Sequence, residues 1–266
     1  MLATITIAVV VLFSFIAIVF SSLRLLFIIQ PLRGTPPPRR PGSPSHLLSI
    51  LGSGGHTAEM LAMLRNMDTQ LYTHRTYIVS EGDHISAQRA RALEEELWST
   101  TKSRLKNEPK VESSEDEIDN IYGSYTIWTV PRARNIHQPL ITTPFSCLRT
   151  LIFSLRFLSG SIPTHLPPQV PLAPNLILAN GPATSAIFIF AQLILRFLDF
   201  GGAKGHERTR IVFVESFARV KTLSLSAKCV AWCVDRLVVQ WTELKGLAGG
   251  KAEYAGLVAV DGPMVR

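Results

Sequence analysis

The run Leu47-Leu-Ser-Ile-Leu-Gly-Ser-Gly-Gly-His-Thr-Ala-Glu-Met60 joins an apolar segment to a glycine-rich loop and then to a helix-like segment. Such a junction can hold an anion. Gly52, Gly54 and Gly55 allow backbone conformations closed to other residues and let a ligand approach the main chain. The free N–H groups and positive dipole end of the following helix favour a phosphate. Gly52, Ser53, Gly54, Gly55 and Thr57 are therefore the candidate phosphate contacts, and His56 is the candidate general base or hydrogen-bond donor.

The two commonest phosphate motifs do not fit this loop. A P-loop requires Gly-Lys-Ser/Thr where the chain has Gly55-His56-Thr57, and the dinucleotide fingerprint requires a third glycine where Thr57 stands. An ATPase or a simple NAD enzyme is disfavoured on that ground. A plain tight turn between a strand and a helix is the structural alternative to a ligand site.

The elements that must position this loop recur along the chain as a short apolar run, a polar turn and a helical pattern. Thr76-Tyr-Ile-Val-Ser80 precedes Glu81-Gly-Asp-His84 and a helix over 85–98, and Tyr125-Thr-Ile-Trp-Thr-Val130 precedes Pro131-Arg-Ala-Arg134. Asn175-Leu-Ile-Leu-Ala179 leads into Asn180-Gly-Pro-Ala-Thr184 and an apolar helix ending near Leu198. Arg210-Ile-Val-Phe-Val214 leads into Glu215-Ser216, and Leu237-Val-Val-Gln240 makes the last strand. This alternation predicts an α/β fold with a mostly parallel sheet covered on both faces. Ligands of such sheets bind beyond the carboxyl ends of the strands. Glu81, Asp83, Arg132, Arg134, Asn180, Thr184, Glu215 and Ser216 all follow a strand and can converge with His56 on one rim. Helix capping is the simpler alternative for Asn180 and Ser216.

No charged side chain precedes Arg24, and the apolar run resumes beyond it to Ile29. About 20 apolar residues cross a bilayer, and the uncharged start and long apolar run do not suit a cleaved signal. The reading is an uncleaved transmembrane anchor over 1–30, with a buried core helix as the alternative. Arg24, Arg33, Arg39 and Arg40 follow the span, which places the body in the cytosol by the positive-inside tendency. A Pro-rich linker over 31–45 acts as a semi-rigid spacer, and 46–266 is long enough for one α/β domain and short for two.

The formal charge of +7 comes without an aromatic-basic RNA motif, zinc finger or helix-turn-helix pattern, so no nucleic-acid partner is expected. Attraction to an anionic leaflet or to a pyrophosphate accounts for it more simply. Cys147, Cys229 and Cys233 lack metal-binding spacing and suit a reduced compartment. Neither a metal nor a cofactor is expected. Residues 101–120, lysines followed by a run of carboxylates, read as a disordered insertion. Leu148, Leu151, Ile152 and Leu155 form an apolar stripe beside Arg149 and Arg156, suited either to the core or to a membrane surface. The apolar end at 252–260 must be covered, by its own sheet or by a partner.

With these motifs in order, the chain resembles the membrane-anchor subunits of the bipartite UDP-N-acetylglucosamine transferase of dolichol-linked oligosaccharide synthesis. The resemblance rests on Gly52-Ser-Gly-Gly-His-Thr57 with Glu59-Met60, Tyr77-Ile-Val-Ser-Glu-Gly-Asp83, Pro131-Arg-Ala-Arg134, Asn180-Gly-Pro182, Val214-Glu-Ser-Phe-Ala-Arg-Val-Lys221 and Asp235-Arg-Leu-Val-Val-Gln-Trp241. It covers nearly everything after the linker. Two departures stand out: Ala183 follows Asn-Gly-Pro where the family usually has glycine, and Pro139 interrupts a more polar pattern.

The resemblance implies a Rossmann-like parallel sheet, the N-terminal, acceptor-binding half of a GT-B glycosyltransferase, with one N-terminal transmembrane helix. It further implies a heterodimer with a soluble UDP-GlcNAc-binding catalytic subunit, inactive as separate halves, that transfers GlcNAc with inversion to dolichyl-pyrophosphate-GlcNAc. The enzyme of the preceding step, a GlcNAc-1-phosphate transferase, is a further implied partner. The implied location is the endoplasmic reticulum membrane and the contiguous nuclear envelope. In this frame His56 and Glu81 are the catalytic candidates. Gly52, Ser53, Gly54, Gly55, Thr57, Arg132, Arg134, Asn180, Gly181, Glu215 and Ser216 hold the acceptor, and Tyr254, Leu257 and Val258 meet the partner subunit. Two other classes stay open: a membrane scaffold without a part in acceptor binding, and an anchored nucleotide-binding module.

Overall fold

The computed structural model describes residues 2–29, 43–107, 124–134, 138–139, 141–163, 166–181, 183–200 and 209–257. Seven strands, β1 His46–Ile50, β2 His74–Ser80, β3 Ser124–Val130, β4 Leu176–Asn180, β5 Arg210–Val214, β6 Arg236–Val239 and β7 Ala252–Tyr254, form one sheet in the order β3-β2-β1-β4-β5-β6-β7. Every neighbouring pair is parallel. The sheet is a Rossmann-like one, as expected, extended by β7 at one edge.

Burial on both faces explains the composition of the central strands, which are apolar throughout rather than alternating. In β1 every residue is buried. Leu48 and Ile50 face one layer, and Leu47 and the following Leu51 face the other. Helices α2 Gly55–Leu64 and α3 His84–Asn107 cover the second layer through Met60, Leu64, Leu93 and Leu97. Helices α4 Thr143–Leu158, α5 Ala183–Phe197 and α6 Leu225–Val230 cover the first through Phe157, Phe188, Ile189 and Val230. Each fully buried leucine or isoleucine stabilises the fold by about 1.5–3 kcal/mol. The chain therefore changes face between β3 and β4, and β1 lies beside β4 where the strand order reverses.

Helix α1, Leu2–Ile29, contains a 21-residue apolar stretch, Val9–Ile29, of mean hydropathy 2.5, long and apolar enough to cross a membrane. Its last turns belong to the body. Ile28 is buried in the first layer, Leu25 and Ile29 pack against it, and Arg24 pairs with Asp199 at 2.5 Å while donating to the Phe197 carbonyl at the end of α5. Most of the expected linker lies outside the described residues. Ser45, its last residue, is already part of the domain and donates through its hydroxyl to the Leu71 carbonyl at 2.6 Å.

The other outer segments depart from expectation in detail. Helix α3 continues to Asn107, so residues 101–107 are not part of an irregular insertion; the rest of that segment lies outside the described residues. The cause is a helical face that continues from Ala90 through Glu94 and Leu97 to Thr101, whose buried hydroxyl meets that of Thr69 at 2.7 Å. In α4 the apolar stripe is split: Leu151 and Leu155 lean on the core, while Leu148 and Ile152 are exposed together with Phe145. Thr150, Ser154 and Phe157, at helical spacing, take the line that faces the sheet. At the chain's end, residues 252–254 cover themselves as β7, paired in register with β6 from Leu237–Ala252 to Val239–Tyr254. Tyr254 nevertheless keeps an exposed side chain, Leu257 is half-buried, and Val258 lies outside the described residues.

Candidate functional site

The crevice between β1 and β4, where ligands of doubly wound sheets bind, is built from both strands' following loops. Gly54 caps α2 with φ +64, a conformation that favours glycine, and a Cβ on Gly54 or Gly55 would meet open space. From this helix start His56 reaches across to β4, where its Nδ1 lies 2.9 Å from Oδ1 of Asn180. Gly181, at φ +74, sits so close under the imidazole that a Cβ there would run into the ring.

Glu59, one turn along α2, completes the cluster. Its Oε2 accepts from Nδ2 of Asn180 at 2.8 Å, and its Oε1 accepts from the Ser216 hydroxyl at 3.0 Å and the Phe217 N–H at 3.1 Å. Glu215 organises the next loop: its two oxygens accept from the backbone N–H groups of Ser216 at 2.9 Å and Ser224 at 2.7 Å. Both carboxylates are thus spent on donors from the protein. His56, Glu59, Gly181, Glu215, Ser216 and Arg219 line a cavity of about 460 Å³, within the roughly 300–1,000 Å³ of small-molecule sites. Arg219 is exposed and is the one cationic side chain among the lining residues.

The structure gathers some of the sequence-derived site residues here and leaves others apart. Gly55, His56, Gly181, Glu215 and Ser216 line the cavity, and Asn180 sits behind it holding His56. Neither Asn180 nor Ser216 uses its side chain to cap a helix; both bond to Glu59. Gly52 is buried and Ser53 exposed, and neither lines the cavity. Thr57 points the other way: its buried hydroxyl donates to the Gly52 carbonyl and lies 2.7 Å from that of Ser86, tying the loop to the start of α3. Asp83 accepts from the same Ser86 hydroxyl at 2.7 Å. Glu81 does not reach His56's cavity. It pairs with Arg149 of α4 at 3.1 Å, while Arg132 donates to its carbonyl at 2.6 Å and Arg134 turns to the Gln138 carbonyl.

Sequence reasoning assigned no role to Glu59 or Arg219. The signal for Glu59 was its spacing: on a helix beginning at Gly55, positions 56 and 59 share a face.

A family model described as "Oligosaccharide biosynthesis protein Alg14 like" matches residues 47–258. The chain belongs to the Alg14 family. A relative from Cryptococcus neoformans, named UDP-N-acetylglucosamine transferase subunit ALG14, is 37% identical over 223 residues, covering 83% of this chain and 84% of its own. The fission yeast relative of that name, from Schizosaccharomyces pombe, is 36% identical, covering 80% and 83%. One from Mus musculus is 32% identical, covering 75% and 76%. The Alg14-type match takes in the whole sheet apart from His46 at the start of β1, and all three segments that line the cavity, after β1, β4 and β5.

Proposed function

We propose that this chain is the acceptor-binding, membrane-anchored subunit of a UDP-N-acetylglucosamine transferase that extends dolichyl-pyrophosphate-GlcNAc on the cytosolic face of the endoplasmic reticulum. The observation that carries the reading is the cavity at the β1–β4 crevice, where a glycine-capped helix start, Arg219 and a histidine held by Asn180 meet. The pyrophosphate lies against the N–H groups at the start of α2 and Arg219, which carry its charge. His56 takes the proton from the sugar hydroxyl as it attacks the anomeric carbon of UDP-GlcNAc, and UDP leaves with inversion. The soluble partner supplies the nucleotide-sugar half, since the described residues form a single Rossmann-like sheet. Helix α1 spans the membrane and holds the body beside its lipid substrate.

The test is a transferase assay on a short-chain isoprenyl-pyrophosphate-GlcNAc acceptor with UDP-GlcNAc, using the chain in nanodiscs, the donor-binding subunit, or both. Product only with both is expected. Product from the donor-binding subunit alone on solubilised acceptor would reduce this chain to a scaffold, and product from this chain alone would remove the divided mechanism.

A further inference from the structure

The hydrogen bonds around Asn180 carry a consequence for His56 beyond its place in the cavity. A carboxylate only accepts hydrogen bonds, and an amide presents a donor on one side and an acceptor on the other. Glu59 therefore holds the NH2 of Asn180 toward itself at 2.8 Å and turns Oδ1 toward His56. Against that oxygen, at 2.9 Å, the imidazole must place an N–H on Nδ1. Its Nε2 is then a lone pair, and this nitrogen has no partner among the described residues in a side chain that lines the cavity.

We infer that Glu59 is a positioning residue that sets the tautomer of His56 through Asn180, keeping Nε2 as the proton-accepting nitrogen. The role of that nitrogen as base rests on the function proposed above; the tautomer does not. The relay is anchored at its far end by Oε1 of Glu59, which takes both the Ser216 hydroxyl and the Phe217 N–H. That double contact makes Glu59→Gln informative. Phe217 N–H can only donate, so the glutamine keeps its oxygen there and turns its NH2 toward Asn180. The Asn180 amide must then flip to offer Oδ1 to the glutamine and NH2 to His56. Every hydrogen bond is preserved only if His56 moves its proton to Nε2, which makes the cavity-facing nitrogen a donor. Charge and hydrogen-bonding capacity change at Glu59, whereas the ring that would do chemistry stays in place.

The experiment reads the ring nitrogens by 15N NMR of the full chain in nanodiscs, with histidine labelled in the ring and the His56 signals assigned by their loss in His56→Gln. In its neutral form, wild type is expected to show protonated Nδ1 and unprotonated Nε2, and Glu59→Gln the reverse. A wild-type ring protonated on Nε2 overturns the relay without any variant, so a Glu59→Gln chain that fails to fold does not protect it. An unchanged tautomer in folded Glu59→Gln overturns it too. Glu59→Gln, combined with the donor-binding subunit on the isoprenyl-pyrophosphate-GlcNAc acceptor, is expected to lose about 10²-fold or more in kcat relative to wild type, with little change in acceptor KM. A tautomer that switches while kcat is unchanged leaves the relay standing and removes His56 as the base.

Discussion

At the scale of the residue, the cavity separates side chains that face its open space from those that hold others in place. His56→Ala is expected to cost about 10²–10⁴ in kcat, the range of a lost general base; a few-fold loss would assign His56 to phosphate contact alone. Arg219 presents an exposed charge to the cavity, and a hydrogen bond to a charged group is worth about 1.5–3 kcal/mol. Arg219→Ala should therefore raise acceptor KM by about 10- to 100-fold and leave kcat nearly unchanged, and an unaltered KM would take the pyrophosphate away from this residue. Gly181→Ala combines a backbone cost of about 1–2 kcal/mol for a side chain at positive φ with a methyl group driven into the His56 ring. The folded variant should lose turnover through a displaced His56, and full kcat in that variant would contradict the placement of the ring.

At the scale of the element, α3 is locked to β2 near that strand's amino end, away from the rim that carries the site. Arg75 on β2 donates to Glu94 of α3 through both Nε, at 3.1 Å, and Nη2, and Tyr77 adds its hydroxyl at 2.6 Å. Both charges are nearly inaccessible to solvent. Burial pushes the Tyr77 phenol well above its usual range, aided by the Glu94 charge. Glu94→Ala strands a buried guanidinium and is expected to cost about 3–5 kcal/mol, read as a lower unfolding midpoint, whereas Arg75→Met with Glu94→Leu and Tyr77→Phe, which removes all three polar partners, should recover most of it.

At the same end of β1 and β2, His46 and His74 are buried, their rings linked through Thr76 and Thr126, and burial lowers their pKa values to about 4 and about 3. Unfolded histidine titrates near 6.5, so below that pH the unfolded chain binds protons that the folded one does not. Stability is full above pH 7 and falls toward pH 4, by about 2 kcal/mol at pH 5 for His46 alone. His46→Gln should flatten that slope in unfolding midpoints measured against pH, and an unchanged slope would place the titration elsewhere.

The strands were legible because β-branched and apolar runs alternate with glycine and polar turns. Three features were not. Residues 101–107 read as solvated because the helical face that ends at Thr101 is partly polar, the edge strand β7 is three residues long, and Thr57 turns inward to Ser86 rather than outward to the cavity. Each of these depends on a contact distant in sequence, which local pattern does not reveal.

At the scale of the whole molecule, a sheet with its crevice at one rim is joined to a helix that can cross a membrane and is fastened to the end of α5 by Arg24, Leu25 and Ile28. The family motifs and the alternation that predicts the fold were both readable in the sequence, but the contacts inside the cavity appeared only once α2, β4 and the 215–224 loop were seen together. The central claim is that this chain carries the acceptor and not the donor. It is tested most directly by equilibrium binding to the purified full chain in nanodiscs, without the donor-binding subunit, of a short-chain isoprenyl-pyrophosphate-GlcNAc and, separately, of UDP-GlcNAc. The account predicts saturable binding of the pyrophosphate-linked acceptor, weakened about 10- to 100-fold in Arg219→Ala, and no saturable binding of UDP-GlcNAc. Saturable binding of UDP-GlcNAc with none of the acceptor would contradict it.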